Sequence, residues 1–137
     1  MRPFHLAFPV TDLNLTKSFY VDVLQCGVGR TSDRWIDFDM FGHQVVAHLV
    51  DDQEGIDTNP VDGDNVPASH FGVILTWEQW HLLRDRLKNN DIKFIIEPKI
   101  RFEGQPGEQA TMFFLDPCGN ALEFKSFKDD KQIFATE

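Results

Sequence analysis

The feature that most constrains the fold is an internal repeat of about 65 residues, in which one order of elements occurs twice. His5 in the first copy aligns with His70 in the second, and Phe41-Gly42 aligns loosely with Cys118-Gly119. Each copy predicts the order β-α-β-β-β, with units at about 3–50 and 68–127. We therefore expect an α+β fold whose paired units form a curved, mixed but mostly antiparallel sheet with a metal-containing cleft.

The first unit begins with an apolar run at residues 4–10, which predicts a strand. Residues 11–16 include several good helix caps, and Phe19 and Val23 continue that helix on one face. Glycines at 27 and 29 stop it. Three short runs then predict the remaining strands: 28–31, 34–40 and 44–50.

The second unit follows a polar connector at residues 51–67, which we expect to be exposed. Residues 69–75 predict a strand, and Thr76 caps a helix over 77–89 with Trp80, Leu83 and Leu87 on one face. A charged tail follows at 128–137, and the whole chain, 1–137, is expected to be one domain. The remaining strands are predicted at 94–97 with a weaker continuation at 100–102, at 111–115 and at 121–127.

The amino-acid composition argues against some classes of binding partner. The formal net charge of −9 argues against nucleic acid and anionic membranes, because both attract surfaces rich in Lys and Arg. No stretch is long and apolar enough to predict a signal peptide or a membrane span. Cys26 and Cys118 lack a C-x-x-C spacing and are expected to be reduced thiols. These features favour a cytoplasmic protein that acts on a small molecule.

Three residues on separate predicted strands form a candidate metal-ligand set: His5, His70 and Glu123. Alternation along each strand places these side chains on its less apolar side, opposite the aromatic residues that would pack under the helices. Two imidazoles and one carboxylate can hold a divalent metal on one face and leave the other open to substrate and oxygen. Their matching positions in the two repeats favour a metal site over three unrelated surface residues.

Three segments carry a family resemblance. FHLAFPVTDLNLTKSFYVDVLQC, SHFGVIL and FFLDPCGNALEF resemble the vicinal oxygen chelate superfamily, which includes glyoxalase I, fosfomycin- and bleomycin-resistance proteins and extradiol dioxygenases. The resemblance spans about residues 3–127, and D-P-x-G-N-x-x-E-F is its most specific motif. It implies paired β-α-β-β-β units around a metal, with His5, His70 and Glu123 as the ligands.

The number of predicted ligands indicates which branch of the superfamily the chain most resembles. Glyoxalase-like and fosfomycin-resistance-like members often have another ligand in the first unit, at the place corresponding to Glu123. Counting four residues from Gly42, as from Gly119 to Glu123, gives Val46, which cannot bind a metal. Open coordination favours an extradiol dioxygenase, with Fe(II) expected first and Mn(II) as the alternative. His48 lies two residues beyond Val46 and is the candidate catalytic acid–base group, or else a surface histidine.

Three further residues are candidate substrate contacts. Phe113 stands where ring-cleaving relatives usually carry a tyrosine near the substrate. The loop at 101–109 contains Gly and Pro and is either a lid or an ordinary hairpin loop. Arg101 and Gln109, at its two ends, are expected to meet a substrate oxygen if it is a lid.

The sequence is also compatible with two other functions. A glyoxalase-type lyase or isomerase would use Zn(II) or Ni(II) and would need a further ligand, such as Gln44 or His48. A drug-binding protein of the bleomycin-resistance kind would sequester its ligand without a metal. Proteins with this resemblance are often homodimers, which we also expect here, and the metal site can lie within one chain or be shared by two.

Overall fold

The computed structural model describes residues 1–52, 55, 57–61 and 63–136. The chain divides into two compact units. Unit 1 comprises residues 1–56 together with 116–120, and unit 2 comprises residues 57–115 together with 121–137. The division follows the predicted repeat except at 116–120, the turn of the D-P-x-G-N motif, which is grouped with the first unit. That the two units form a single domain stays a prediction.

Unit 1 contains a four-stranded mixed sheet with one helix. Its strand order is β1-β4-β3-β2, with β1 parallel to β4 and the other neighbours antiparallel. A single π-helical turn, Phe19–Val23, extends the helix. The elements are β1 (His5–Val10), α1 (Leu13–Ser18), β2 (Gly27–Thr31), β3 (Trp35–Met40) and β4 (His43–Leu49).

Helix α1 begins where the sequence predicts, because the Asp12 side chain accepts a hydrogen bond from the Leu15 amide at 2.9 Å. The sheet is strongly two-sided. Phe8 on β1 and Phe38 on β3 are buried, and Phe38 stacks on Tyr20 of the helical segment with ring centroids 5.1 Å apart. The alternate positions, which include His5, remain on the more exposed side.

Unit 2 has a three-stranded antiparallel sheet of order β7-β8-β9, a hairpin and one long helix. A short 3-10 turn, Asp130–Gln132, lies in the predicted tail. The elements are β5 (Thr58–Val61), β6 (Asp64–Pro67), α2 (Trp77–Asn89), β7 (Phe94–Arg101), β8 (Gln109–Leu115) and β9 (Ala121–Phe127).

The predicted strand at 69–75 is present as two parallel bridges to β9, Phe71 with Leu122 and Ile74 with Lys125. The bond between them, from the Lys125 amide to the Val73 carbonyl, is stretched to 3.4 Å, so this ladder is less regular than that of β1. The segment nevertheless occupies the place that β1 has in unit 1, beside the last strand of its unit. Both units therefore repeat one strand order, which confirms the duplication and the α+β fold class.

Helix α2 covers the predicted residues and has a full capping box formed by Thr76 and Gln79. Its predicted inner face is confirmed, because Trp80, Leu83 and Leu87 are all buried. The Trp80 indole donates to the Phe124 carbonyl of β9 at 2.8 Å, which satisfies the one polar atom of this large side chain. None of the helices in the described ranges is long and apolar enough to cross a membrane.

The connector predicted at 51–67 is wrong in part, because it contains the hairpin β5–β6; residues 53, 54, 56 and 62 lie outside the described residues. Tertiary contacts explain the difference. Val66 is buried in a small cluster with Ile96 and Phe113, and Asp64 binds Lys99 of β7 at 2.8 Å. Such contacts override a locally polar, turn-rich composition.

Candidate functional site

His70 and Glu123 lie side by side in unit 2. The His70 Nε2 atom is 3.3 Å from Glu123 Oε1. The other ring nitrogen, Nδ1, is 2.7 Å from the Pro67 carbonyl oxygen. Because a carbonyl oxygen can only accept, Nδ1 carries the proton of that bond. The Phe113 ring packs edge-on against the imidazole, with centroids 5.0 Å apart, so the ring orientation is fixed from two directions.

Glu123 is held just as closely. Its Oε2 atom accepts a hydrogen bond from Thr111 Oγ1 on the neighbouring strand β8. Its side chain is 15% exposed, and Thr111 is buried. A methyl group built on Gly72 would lie 1.6 Å from the Glu123 carbonyl oxygen, so only glycine permits the segment after His70 to approach β9 this closely.

The arrangement of His70 and Glu123 fits a shared cation, either a proton or a metal ion. With the proton on Nδ1, a neutral imidazole turns the Nε2 lone pair toward a carboxylate oxygen, and two electron-pair donors repel each other unless a proton or a metal ion lies between them. Two ligand atoms bound at right angles to one metal at about 2.1 Å are about 3 Å apart, close to the separation found here. These residues therefore fit a divalent metal.

His5 lies on β1 in unit 1. Its Nδ1 atom is 2.8 Å from Gln44 Oε1 and donates to it, as His70 Nδ1 donates to a carbonyl oxygen. His5 is exposed. Among the described residues, no three His, Cys, Asp or Glu side chains are close enough together to hold a metal ion. Unit 2 thus brings two of the three predicted ligands together, and the third lies in unit 1.

Strand register identifies the counterpart of Glu123 in unit 1. Leu6 pairs with Val45 and Ala7 with Val46, while Phe71 pairs with Leu122. Aligning His5 with His70 therefore superimposes Val46 on Glu123, the equivalence expected from counting after the glycine. Val46 is buried and apolar, so this position of unit 1 offers no ligand.

His48 lies on β4 two residues after Val46, which is about 7 Å farther along the strand. It is exposed and pairs with Pro9 on one side and Trp35 on the other. Strand alternation places it on the same sheet face as His5. Its catalytic role stays a prediction.

The three predicted substrate contacts differ in exposure. Phe113 is 2% exposed and supports the His70 ring, so its contact with a substrate stays a prediction. The Arg101 side chain is 17% exposed and lies 3.9 Å from Asp64. The Gln109 amide donates to the Gly107 carbonyl at 3.4 Å, within its own loop.

Two positioning side chains were missed at the sequence level: Thr111, which binds Glu123, and Gln44, which binds His5. Strand alternation offers a signal for Thr111, because a hydroxyl on an otherwise apolar strand needs a partner on the same face. The sequence suggests Gln44 only as an additional metal ligand. Its Oε1 atom is instead an acceptor for the His5 ring.

Most of the D-P-x-G-N motif is structural. Asp116 accepts hydrogen bonds from the amides of Cys118 and Asn120, both at 2.9 Å, and from the Tyr20 hydroxyl at 2.8 Å. The Asn120 side chain donates to Asp116 and to the Pro9 carbonyl. Burial, followed by the Asp116 charge and hydrogen bond, raises the pKa of Tyr20 well above its ordinary value.

The sequence matches the family model described as Glyoxalase/Bleomycin resistance protein/Dioxygenase superfamily over residues 2–124. The chain belongs to this superfamily. Its members are mostly enzymes, bind small molecules and often bind divalent metals. No curated protein matches the chain significantly.

Among solved structures, a glyoxalase/bleomycin resistance protein/dioxygenase from Alicyclobacillus acidocaldarius is similar at 36% identity and a TM-score of 0.79, with 96% of each chain covered. The fosfomycin resistance protein of Listeria monocytogenes is 16% identical with a TM-score of 0.68 and 89% of each chain covered. A lactoylglutathione lyase from Agrobacterium tumefaciens is 14% identical with a TM-score of 0.62, covering 90% of this chain and 91% of its own. The last two likenesses concern the superfamily fold alone.

Proposed function

We propose that the chain is a metal-dependent dioxygenase of the extradiol type, with His5, His70 and Glu123 as ligands and Fe(II) as the metal. The observation that carries the proposal is the pairing of His70 Nε2 with Glu123 Oε1 at 3.3 Å, while the register counterpart of Glu123 is Val46. A site with three protein ligands keeps positions open for two substrate oxygens and O₂. Both atoms of O₂ would enter the product as a ring carbon–carbon bond beside the diol breaks.

The chain's own residues orient the ligands and move protons. Gln44 and the Pro67 carbonyl each accept from an imidazole Nδ1, which directs Nε2 of His5 and His70 toward the metal. Thr111 donates to Glu123 Oε2 and thereby orients Oε1, the oxygen that faces His70. His48 would accept a proton from the diol and return it to the product. Bound Fe(II) would supply the chelation of the diol and the electrons that activate O₂.

The two other functions have less support. Gln44 already accepts a hydrogen bond from His5, so its oxygen is not presented as the further ligand that a glyoxalase-type site would need. In a metal-free sequestering protein the contact of His70 with Glu123 would be an ion pair alone, whereas two metal-ligating side chains this close together also fit a divalent metal. Both observations favour a metal enzyme with open coordination.

Metal binding is tested by thermal unfolding with and without Fe(II) under anaerobic conditions. At a metal concentration of 100 times Kd, the folded state gains about 2.7 kcal/mol. We expect this gain in the wild type and its loss in His70→Ala and Glu123→Gln. His81→Ala is the matched control, because His81 lies on helix α2 and binds the Trp77 carbonyl. Equal stabilisation in all four proteins would exclude the proposed ligands.

The reaction is tested by oxygen uptake with the Fe(II)-loaded protein and a panel of aromatic diols. We expect one O₂ to be consumed for each diol, with a yellow ring-opened product. His48→Ala should lower kcat by about 10²–10⁴-fold while diol binding persists. A fully metallated protein that consumes no oxygen with any diol would rule out dioxygenase chemistry. The proposed metal ligands would not be affected by that result, because thermal unfolding tests them independently.

A further inference from the structure

The orientation of the His70 ring depends on the hairpin β5–β6, which precedes it in unit 2. The Nδ1 atom of His70 donates to the carbonyl of Pro67, the last residue of β6, at 2.7 Å. The Phe113 ring of β8 packs edge-on against the same imidazole. The direction of Nε2, the ring atom that faces Glu123, is therefore set by the place where β6 ends relative to β8.

Side-chain contacts, rather than a backbone ladder, fix the position of this hairpin. Among the described residues, β5 and β6 form a sheet of their own, and β7, β8 and β9 form another. A two-stranded hairpin by itself is at best marginally stable in water. The position of β6 against β7 and β8 therefore depends on the side chains that it packs there.

The first contact between the hairpin and the larger sheet is apolar. Val66 of β6 is buried in a cluster with Ile96 of β7 and Phe113 of β8. Phe113 thus supports both the hairpin and the His70 ring. Because Val66 and Pro67 are adjacent, a shift of Val66 out of this cluster would also move the carbonyl that His70 binds.

The second contact is an ion pair. Lys99 of β7 donates to Asp64 Oδ2 at 2.8 Å, and Arg101 lies 3.9 Å from the same oxygen. The hydrogen bond from Lys99 is the main reason that the pKa of Asp64 is lowered. Asp64 and Val66 are two residues apart on β6, so their side chains lie on one side of the hairpin. A register shift in β7 between Ile96 and Lys99 likewise places these two side chains on one face, so both contacts join the same two surfaces.

We propose that Asp64, Val66 and Lys99 are positioning residues for the metal site, because they hold the hairpin where the Pro67 carbonyl directs His70. This proposal rests on the proposed function for metal binding by His70 and is independent of the oxygen chemistry. Each of the three residues acts through the backbone of β6 rather than by contact with metal or substrate. Changes at these residues should therefore alter the metal affinity and the hydrogen bond of His70 together.

Anaerobic calorimetry with Fe(II) measures the effect on metal affinity. We expect Val66→Ala to weaken binding about tenfold, because the cavity that it leaves lets the end of β6 shift. Val61→Ala is the matched control and should leave the affinity unchanged, since it makes the same substitution at an exposed residue of β5.

The ion pair is tested by its sign as well as its size. Asp64→Asn and Lys99→Gln should each weaken Fe(II) binding about threefold, the scale of a partly exposed ion pair. The double variant should lose no more than the larger single loss, because both substitutions remove one contact. Long-range charge alone would instead make Lys99→Gln bind Fe(II) more tightly. Lys93→Gln, an equal charge change at an exposed residue just before β7, should not weaken binding.

NMR of the metal-free protein gives a second measurement, the rate at which the His70 Nδ1 proton exchanges with water. This rate should rise about threefold in Asp64→Asn and about tenfold in Val66→Ala, because exchange follows opening of the hydrogen bond to Pro67. Lower thermal stability with unchanged exchange and unchanged affinity would overturn the proposal, as would equal losses in the control variants. A wild-type protein that binds no Fe(II) would refute the proposed function, and the exchange rates alone would then decide the positioning role.

Discussion

Gly72 determines how closely the chain passes Glu123. Its backbone approaches β9 so tightly that a Cβ atom would overlap the Glu123 carbonyl oxygen at 1.6 Å. The clash is with backbone, so a rotamer change cannot relieve it. At the corresponding place in unit 1 the chain has Ala7, beside Val46 rather than a candidate ligand.

Gly72→Ala is expected to destabilise the protein by about 3 kcal/mol and to displace Glu123, because the segment after His70 must move away from β9. Chemical denaturation measures the first effect and metal titration the second. Gly55→Ala is the matched control, since nothing lies within 4 Å of its added methyl group. Equal stability of the two variants would show that β9 can shift without cost.

Thr111 is the residue that most directly orients Glu123. Thr111→Val keeps the shape and strand preference of the side chain but removes the hydrogen bond to Oε2. We expect metal affinity to fall about 10–100-fold, the usual cost of losing an outer hydrogen bond to a ligand. Thr31→Val on the exposed strand β2 makes the same substitution away from Glu123. Unchanged affinity in Thr111→Val would mean that the carboxylate is held by other contacts.

At the scale of elements, the turn between β8 and β9 is stabilised by a buried polar network. Asp116 accepts from two turn amides and from Tyr20, and Asn120 links the turn to the Pro9 carbonyl of β1. All of these residues belong to unit 1. These hydrogen bonds fix the conformation of the turn that precedes β9.

Tyr20→Phe is expected to cost about 1–3 kcal/mol, because Asp116 loses a hydrogen bond in a buried place. The loss should depend on pH. The folded state keeps Tyr20 protonated above its ordinary pKa of about 10, where the unfolded chain ionises, so wild-type stability falls as pH rises past 10. Tyr20→Phe lacks this alkaline decrease, and the two stability curves should converge.

Absorbance of the phenolate measures the same effect directly, since Tyr20 is the only tyrosine in the chain. We expect phenolate to form only together with loss of circular dichroism. Reversible ionisation near pH 10 in a folded protein would show that the hydroxyl is accessible and that its bond to Asp116 contributes little.

At the scale of the whole molecule, we expect a homodimer, because two-fold dimers are the commonest assembly among soluble oligomers. Light scattering should give twice the chain mass of 15.8 kDa at micromolar concentration. A mass of 15.8 kDa at every concentration tested would contradict the dimer. Fusion of two copies through a flexible linker is the control, because it fixes the stoichiometry at two.

The order of elements and most of their bounds followed from local patterns. Helix α2 and strand β9 were predicted to the residue, since a capping box and a turn of Asp, Pro and Gly mark their starts. The sequence does not predict the hairpin β5–β6, because its pairing depends on Val66 and Asp64 contacting residues thirty or more positions away. Such contacts leave no periodic signal in the segment itself.

The sequence by itself determined the duplication, the strand faces and the candidate ligands, because period-two alternation and matched repeats are local properties of the chain. Only the tertiary structure decided which atoms form hydrogen bonds with the candidate ligands. The Pro67 carbonyl is the partner of His70, Thr111 is the partner of Glu123 and Gln44 is the partner of His5. It also brought Lys99, Arg101 and Asp64 together. Most of these contacts join residues that are far apart in the sequence. The sequence could not predict them, because a hydrogen bond depends on the positions of both partners in the folded chain.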